Sequence, residues 1–247
     1  MNYDFNGQTA VITGGTRGIG QAISSAFLNA GAKVIATYTS NDEAAQKYKA
    51  SLGEIGERLI LRKFDVSKSD EVEAFWNWCG EAHPETTILV NNSGVRKDNL
   101  TASMSEEEWD KVLDINLKGT FLMSQKSVLH FMKNRFGRII NMSSIGGSLG
   151  LAGQANYAAS KAGQVALSKT LSKEVAKRGI TVNNVCPGFI ETELIQDLPE
   201  DQVKEYKKQV PMKRFGSAKE VADVVLFLSS NEAGYITGTS VEISGGL

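Results

Sequence analysis

The stretch that decides the fold runs Thr9-Ala10-Val11-Ile12-Thr13-Gly14-Gly15-Thr16-Arg17-Gly18-Ile19-Gly20. A short β-branched run passes into a glycine-rich turn. Apolar residues three and four apart then follow, at Ala22, Ile23, Ala26, Phe27 and Ala30. This is a strand, a loop and a one-sided helix in direct succession. Glycines at 14, 18 and 20 permit a tight turn, close backbone approach to a pyrophosphate, and close packing of helix on strand. The helix start adds free amides and a partial positive charge. A dinucleotide is expected there, on Gly14, Thr16, Arg17, Gly18, Ile19 and Gly20. A bland turn with one packing glycine is the alternative, and the placement between a first strand and a first helix argues against it.

Outward from this stretch the same alternation continues. Further strand-like runs lie at Lys33 to Tyr38, Leu59 to Phe64, Ile88 to Asn92, Arg138 to Met142, Thr181 to Val185 and Ser240 to Ser244. Helical stripes separate them, such as Val221, Val224, Val225 and Leu228. Ser105 with Glu108 and Ser217 with Glu220 fit the capping box, in which a hydroxyl serves the third amide and a carboxylate reaches back. Parallel strands need crossover helices, so the expected architecture is α/β: a doubly wound, seven-stranded parallel sheet with helices on both faces. With no repeat or linker to divide it, residues 1–247 are expected to form one Rossmann-type domain. Its one departure from the rhythm is Gly188 to Arg214, expected to form a substrate lid with Leu194, Ile195, Leu198, Val203, Tyr206 and Val210 as an apolar stripe.

At 247 residues a chain buries enough surface to need no disulfide or metal staple. The 27 basic and 28 acidic residues give a net charge of -1, which argues against a nucleic-acid binder or a polybasic membrane anchor. Cys79, Cys186, His83 and His130 are too few for a zinc cluster, so no metal is expected. The cysteines read as buried small apolar groups, His130 as a helix-surface residue, and Trp76, Trp78 and Trp109 as packing groups. The start lacks the basic and apolar regions of a signal peptide, and nowhere do 18 uncharged apolar residues run together. A cytoplasmic protein is expected.

The second strand ends at Thr37 and Tyr38, where an NAD-selective protein commonly places an acid for the ribose diol. No acid stands there, and Arg17 offers a guanidinium for a 2′-phosphate, so NADPH is favoured. Asp42, four residues past Tyr38, counts the other way. Asp65 and Val66 close the third strand, and Asn92, Ser93 and Gly94 follow the fourth. Both are polar turns at strand carboxyl ends, where ligands collect.

Tyr157 and Lys161 in NYAASK are four apart and share a helix face. A phenol needs its pKa of about 10 lowered to serve near neutrality, and a neighbouring ammonium does this. Ser144 could hydrogen-bond the same substrate oxygen. Asn116 could position a water behind the lysine. Taken singly, each also fits a surface or turn residue.

In this order, TGGTRGIG, NNSG, Asn116, Ser144 and YAASK resemble the short-chain dehydrogenase/reductase family, over about Thr9 to Gly246. The stretches GQANYAASKAG, EVAKRGITVN and PGFIETEL closely resemble the bacterial 3-oxoacyl-[acyl-carrier-protein] reductases within it. The resemblance implies NADPH-dependent reduction of a 3-oxoacyl thioester to the (3R)-3-hydroxyacyl thioester, in fatty acid biosynthesis, by a homotetramer. It implies Tyr157 as proton donor and Lys161 as the group that lowers its pKa and holds the nicotinamide ribose. Ser144 would steady the carbonyl and Asn116 complete a water relay. Pro187, Gly188, Ile190 and Thr192 would flank the nicotinamide, and Arg135 and Arg178 would dock the acidic carrier protein. Where the family has NNAG, this chain has NNSG, a small change beside the adenosine. A reductase of acetoacetyl-CoA or another ketone, and an NADPH-sensing regulatory protein without chemistry, are the competing expectations.

Overall fold

The computed structural model describes residues 3–192 and 200–247. Its main sheet has seven parallel strands in the order β3-β2-β1-β4-β5-β6-β9. They are β1 (Thr9–Ile12), β2 (Lys33–Tyr38), β3 (Leu59–Lys63), β4 (Thr86–Asn91), β5 (Gly137–Met142), β6 (Ile180–Pro187) and β9 (Ser240–Ile243). The chain winds outward from β1 through β2 to β3, then restarts at β4 on the other side. The strand order therefore reverses between β1 and β4, the point at which open α/β sheets leave a ligand crevice beyond their carboxyl ends.

The helices are α1 (Gly18–Asn29), α2 (Asp42–Ser51), α3 (Ser69–Ala82), α4 (Glu106–Leu113), α5 (Gly119–Asn134), α6 (Gly146–Leu149), α7 (Ala155–Val175), α8 (Glu200–Gln209) and α9 (Ala218–Ser229). Successive strand residues point to opposite faces, so the apolar runs feed two cores. Ala10, Ile12, Ile88 and Val90 pack on one side with Ile23 and Phe27 of α1 and Val225 of α9. Val11, Leu89, Ile139 and Val182 pack on the other with Phe75 and Trp76 of α3 and Phe131 of α5. Phe27 is fully buried; cutting it to alanine would cost about 3–5 kcal/mol. Both expected capping boxes are present, at Ser105 and Ser217.

The departure after β6 holds a feature that its sequence does not announce. Two short strands, β7 (Ile190–Glu191) and β8 (Gly216–Ser217), pair in parallel and tie its ends together. Each is two residues long, too short for periodicity to register. Of the expected lid stripe, Leu194, Ile195 and Leu198 lie outside the described residues. Tyr206 stacks on Phe189 with ring centroids 5.0 Å apart, Val203 is half-buried and Val210 is buried.

Two packing expectations need correction. His130 is buried between Trp76 and Phe131, because α5 lays this face on the aromatic stripe of α3. Burial holds its pKa below the usual value. Trp109 on α4 is 41% exposed and is not a core group. Cys79 and Cys186 are buried free thiols, as expected. No helix among the described residues is long and apolar enough to cross a membrane.

Candidate active site

The nucleotide end is built from backbone. Gly14 and Gly18 take positive φ values of 62° and 51°, a region that favours glycine. A Cβ on Gly20 would stand 2.1 Å from the Gly14 carbonyl oxygen, so only glycine lets α1 begin this close to the loop. Arg17, the N-cap of α1, makes no side-chain cap, which leaves the first-turn amides for an outside acceptor. The loop is latched to the turn after β4. Asn92 Nδ2 donates to the carbonyls of Thr13 (3.0 Å) and Gly14 (3.2 Å), and Thr13 Oγ1 accepts from the amides of Asn92 and Ser93, both at 2.9 Å. Thr16 and Ile19 are half-buried around this cradle, and Arg17 is exposed. Ser93 packs against Gly14, where a Cβ would meet its Oγ at 3.3 Å. This free-amide, side-chain-free cradle fits a dinucleotide pyrophosphate.

Thr37 is buried and Tyr38 half-buried at the end of β2. Asp42 is already engaged: its carboxylate accepts from Tyr38 Oη at 2.9 Å and from Lys63 Nζ at 2.6 Å. Lys63 stands opposite Tyr38 in the β2–β3 register, so the neighbouring strand supplies the partner. Asp65 turns its carboxylate onto Ser67. Val66 is buried against Gly119, where a Cβ would meet its Cγ2 at 2.8 Å.

The reacting end is built from side chains. Ser144 lies two residues beyond β5, and Tyr157 and Lys161 occupy the start of α7. Asn156 fixes that helix start by donating from Nδ2 to the carbonyls of Lys97 (2.9 Å) and Glu108 (3.1 Å) and accepting the Tyr157 amide at 2.6 Å. Ser144 Oγ accepts the Gly146 amide at 3.0 Å. A Cβ on Gly146 would lie 3.3 Å from Ser144 Oγ and 3.5 Å from Tyr157 Cε1, so the serine hydroxyl and the tyrosine ring border the same point.

Burial pushes the Tyr157 phenol up, while Ser144 and the Arg96 guanidinium pull it down. Arg96 lies 5.9 Å from the ring centroid and is paired with Asp98. Neither residue carries a motif signal, and sequence reasoning missed both. Lys161, the group expected to lower the Tyr157 pKa, lies four residues on along the same helix. Its Nζ stands 5.5 Å from the ring centroid, and burial, the larger effect, raises the phenol. Burial also takes Lys161 itself down to about 8. Its ammonium donates to the Met142 carbonyl (2.7 Å) and to Gln164 Oε1 (3.2 Å).

Asn116 lies in a wide π turn, Asp114–Lys118, between α4 and α5. Its side chain clamps Val95, accepting that amide at 2.8 Å and donating to that carbonyl at 3.0 Å. Asn116, expected to position a water behind the lysine, meets protein donors at its main-chain oxygen. The Asn116 carbonyl accepts from Thr120 Oγ1 (2.7 Å) and Gln164 Nε2 (2.8 Å), so protein donors take both lone pairs. Gly94 closes this corner; a Cβ there would lie 3.3 Å from Asn116 Oδ1 and 3.6 Å from Lys161 Nζ.

Pro187 ends β6, and its carbonyl accepts the Ile145 amide. Gly188 donates to the Ile243 carbonyl, and a Cβ on it would strike Ser244. Ile190 is buried and Thr192 half-buried beside them. Arg135 and Arg178 are not brought to this site. Both are exposed and precede β5 and β6, at the amino-terminal edge of the sheet, with Arg135 Nη2 donating to the Lys177 carbonyl. The six residues of β5 separate that edge from Ser144 by roughly 20 Å.

A family model described as enoyl-(acyl carrier protein) reductase matches residues 14–247. The chain is 44% identical over 244 residues to the 3-oxoacyl-[acyl-carrier-protein] reductase of Escherichia coli (strain K12), covering 99% of this chain and 98% of the relative. It is 43% identical to the enzyme of that name from Vibrio cholerae, over 100% and 99% of the two chains. To that of Aquifex aeolicus it is 40% identical over the whole of both. With the glycine cradle at the strand-order switch and the Ser144–Tyr157–Lys161 cluster beside it, the chain belongs to the short-chain dehydrogenase/reductase family of nicotinamide-dependent oxidoreductases.

Proposed function

We propose that the protein reduces 3-oxoacyl chains carried on acyl carrier protein to (3R)-3-hydroxyacyl chains with NADPH, in fatty acid biosynthesis. The observation that carries this is that Ser144 Oγ and the Tyr157 ring border one point beside Gly146, which puts two hydroxyl-bearing side chains within reach of one carbonyl oxygen. The matched family model speaks of an enoyl group and the relatives of a 3-oxoacyl group; a proton delivered to oxygen by two hydroxyls suits the second.

Held at the glycine cradle of residues 14–20, NADPH would supply the hydride. Ser144 Oγ accepts the Gly146 amide and donates to the Pro187 carbonyl at 3.5 Å, a long bond that the hydroxyl would exchange for one to the substrate carbonyl oxygen. Tyr157 gives its proton to that oxygen as the carbonyl carbon gains the electron pair, and the phenolate left behind is favoured by the Arg96 guanidinium and by Ser144. Lys161 keeps a positive charge behind the tyrosine ring. Met142 and Gln164 take two of its N–H donors, which leaves the third for a bound ligand.

NADPH is the choice because the acid that spoke against it, Asp42, is held by Lys63 and Tyr38 and does not stand free for a ribose diol. Arg17 is exposed at the cradle rim and open to a 2′-phosphate. The segment 188–214 serves as lid, with its ends tied by the β7–β8 pair. The working form is a cytoplasmic homotetramer. Exposed Phe121 and Leu129 on α5, with Trp109 on α4, give it apolar surface to bury.

Supplying NADPH with a 3-oxobutanoyl thioester and, separately, a trans-2-butenoyl thioester tests this directly. Cofactor oxidation with the 3-oxo compound alone is expected. Oxidation with the enoyl compound alone would overturn the proposal.

A further inference from the structure

One fully buried side chain on α7 is not used by the reaction as described. Gln164, three residues past Lys161, has every polar atom engaged. Its Oε1 accepts from Lys161 Nζ at 3.2 Å, and its Nε2 donates to the Asn116 carbonyl at 2.8 Å and to Thr120 Oγ1 at 2.7 Å. Thr120 Oγ1 in turn donates to the same Asn116 carbonyl at 2.7 Å, closing a small ring of hydrogen bonds. The amide has one tenable orientation. Turned over, it would set its NH2 against an ammonium and its oxygen against a carbonyl.

We infer that Gln164 is a positioning residue, whose side-chain amide ties the Lys161 ammonium directly to the Asn116 carbonyl and holds the lysine charged and aimed. This rests on Tyr157 and Lys161 being the reacting couple. The π turn at Asp114–Lys118 makes the link possible, because the widened helix offers the Asn116 carbonyl to α7 across 48 residues of chain. Lysine has three N–H donors; Met142 and Gln164 fix two, which fixes the direction of the third. Acceptors on an ammonium favour its charged form and so oppose the burial that lowers its pKa to about 8. The titratable groups that face Lys161 are Tyr157 on its own helix and Cys186 on β6. Met142 of β5, Gly94 after β4 and Asn116 of the π turn bring no charge to it.

The test reads the lysine itself. In full-length protein carrying 13Cε-labelled lysine, the Lys161 resonance is assigned by its loss in Lys161→Met and titrated by NMR without cofactor. Gln164→Met should lower the midpoint by about one pH unit, the worth of one acceptor on a buried cation. Thr120→Val should lower it less, and should add nothing on the Gln164→Met background, since it acts through the same amide. The turnover lost in Gln164→Met should also grow from pH 6.5 to pH 8.5, where a merely structural loss would stay constant. An unchanged or raised midpoint in Gln164→Met overturns the inference. If that variant does not fold, an unchanged midpoint in Thr120→Val does so. Full turnover in Tyr157→Phe would instead retire the reacting couple and leave the lysine midpoints standing, so the two failures are distinct.

Discussion

The two ends of the crevice are built from opposite materials. The nucleotide end consists of main chain and of missing side chains: Gly14 and Gly18 at positive φ, Gly20 without room for a Cβ, and the uncapped first turn of α1. The reacting end consists of buried side chains that reach far along the sequence, such as Asn116 to Ser160 and Gln164 to Thr120, each spanning 44 residues. A ligand common to many enzymes can be gripped by backbone, which every sequence possesses. Proton transfer needs particular groups at particular pKa values, so it must be assembled from side chains and shielded from water.

The contrast yields perturbations that should fail in different ways. The largest effect belongs to Tyr157→Phe, which keeps the ring and removes the proton. Turnover should fall on the order of a hundredfold or more while cofactor titration stays nearly unchanged; activity within a few-fold of the parent would take the proton donor away from Tyr157. Next comes Gly20→Ala at the other end. Its new Cβ would meet the backbone oxygen of Gly14 at 2.1 Å, and backbone cannot swing aside. Thermal unfolding should show a loss of about 1–3 kcal/mol, and cofactor affinity should drop more than tenfold. An unaltered affinity would show that the cradle is not built from the absence of side chains.

Smaller effects sharpen the same division. The parent should bind NADPH over NADH by about tenfold, or ~1.4 kcal/mol, and Arg17→Ala should narrow that gap by weakening NADPH alone; equal affinities in the parent would return the adenosine end to Asp42. Charge reversal at the far edge of the sheet, Arg135→Glu or Arg178→Glu, should raise KM for carrier-bound substrate about fivefold and leave a free 3-keto ester untouched, with added salt imitating the change. Both arginines lie one strand length from Ser144 in their own chain, so equal effects on the two substrates, or none, would remove this edge from carrier docking.

Legibility in the sequence follows the same division. The seven strands and the glycine turn are visible because each is local: β-branched runs buried on both faces, and glycines whose spacing is itself the signal. Ser144, Tyr157 and Lys161 were found because two of them share a helix turn and the set follows a family order. Arg96, Asp98 and Gln164 were not, because no periodicity or spacing links Arg96 to the Tyr157 ring or Gln164 to the π turn that meets it. His130 misled for a related reason, since a polar residue on a helix looks solvent-facing until the helix opposite proves to be aromatic. The bond from Lys161 to the Met142 carbonyl is invisible for the same reason, since it joins a helix to a strand 19 residues away.

The central claim, reduction of a 3-oxo group on a carrier-bound chain, is most directly tested by following NADPH oxidation with acetoacetyl-carrier protein and with acetoacetyl-CoA under one set of conditions. The account predicts a kcat/KM at least about tenfold higher for the carrier-bound substrate, ~1.4 kcal/mol of extra transition-state binding from the protein partner. Equal values, or a preference for the CoA thioester, would contradict it.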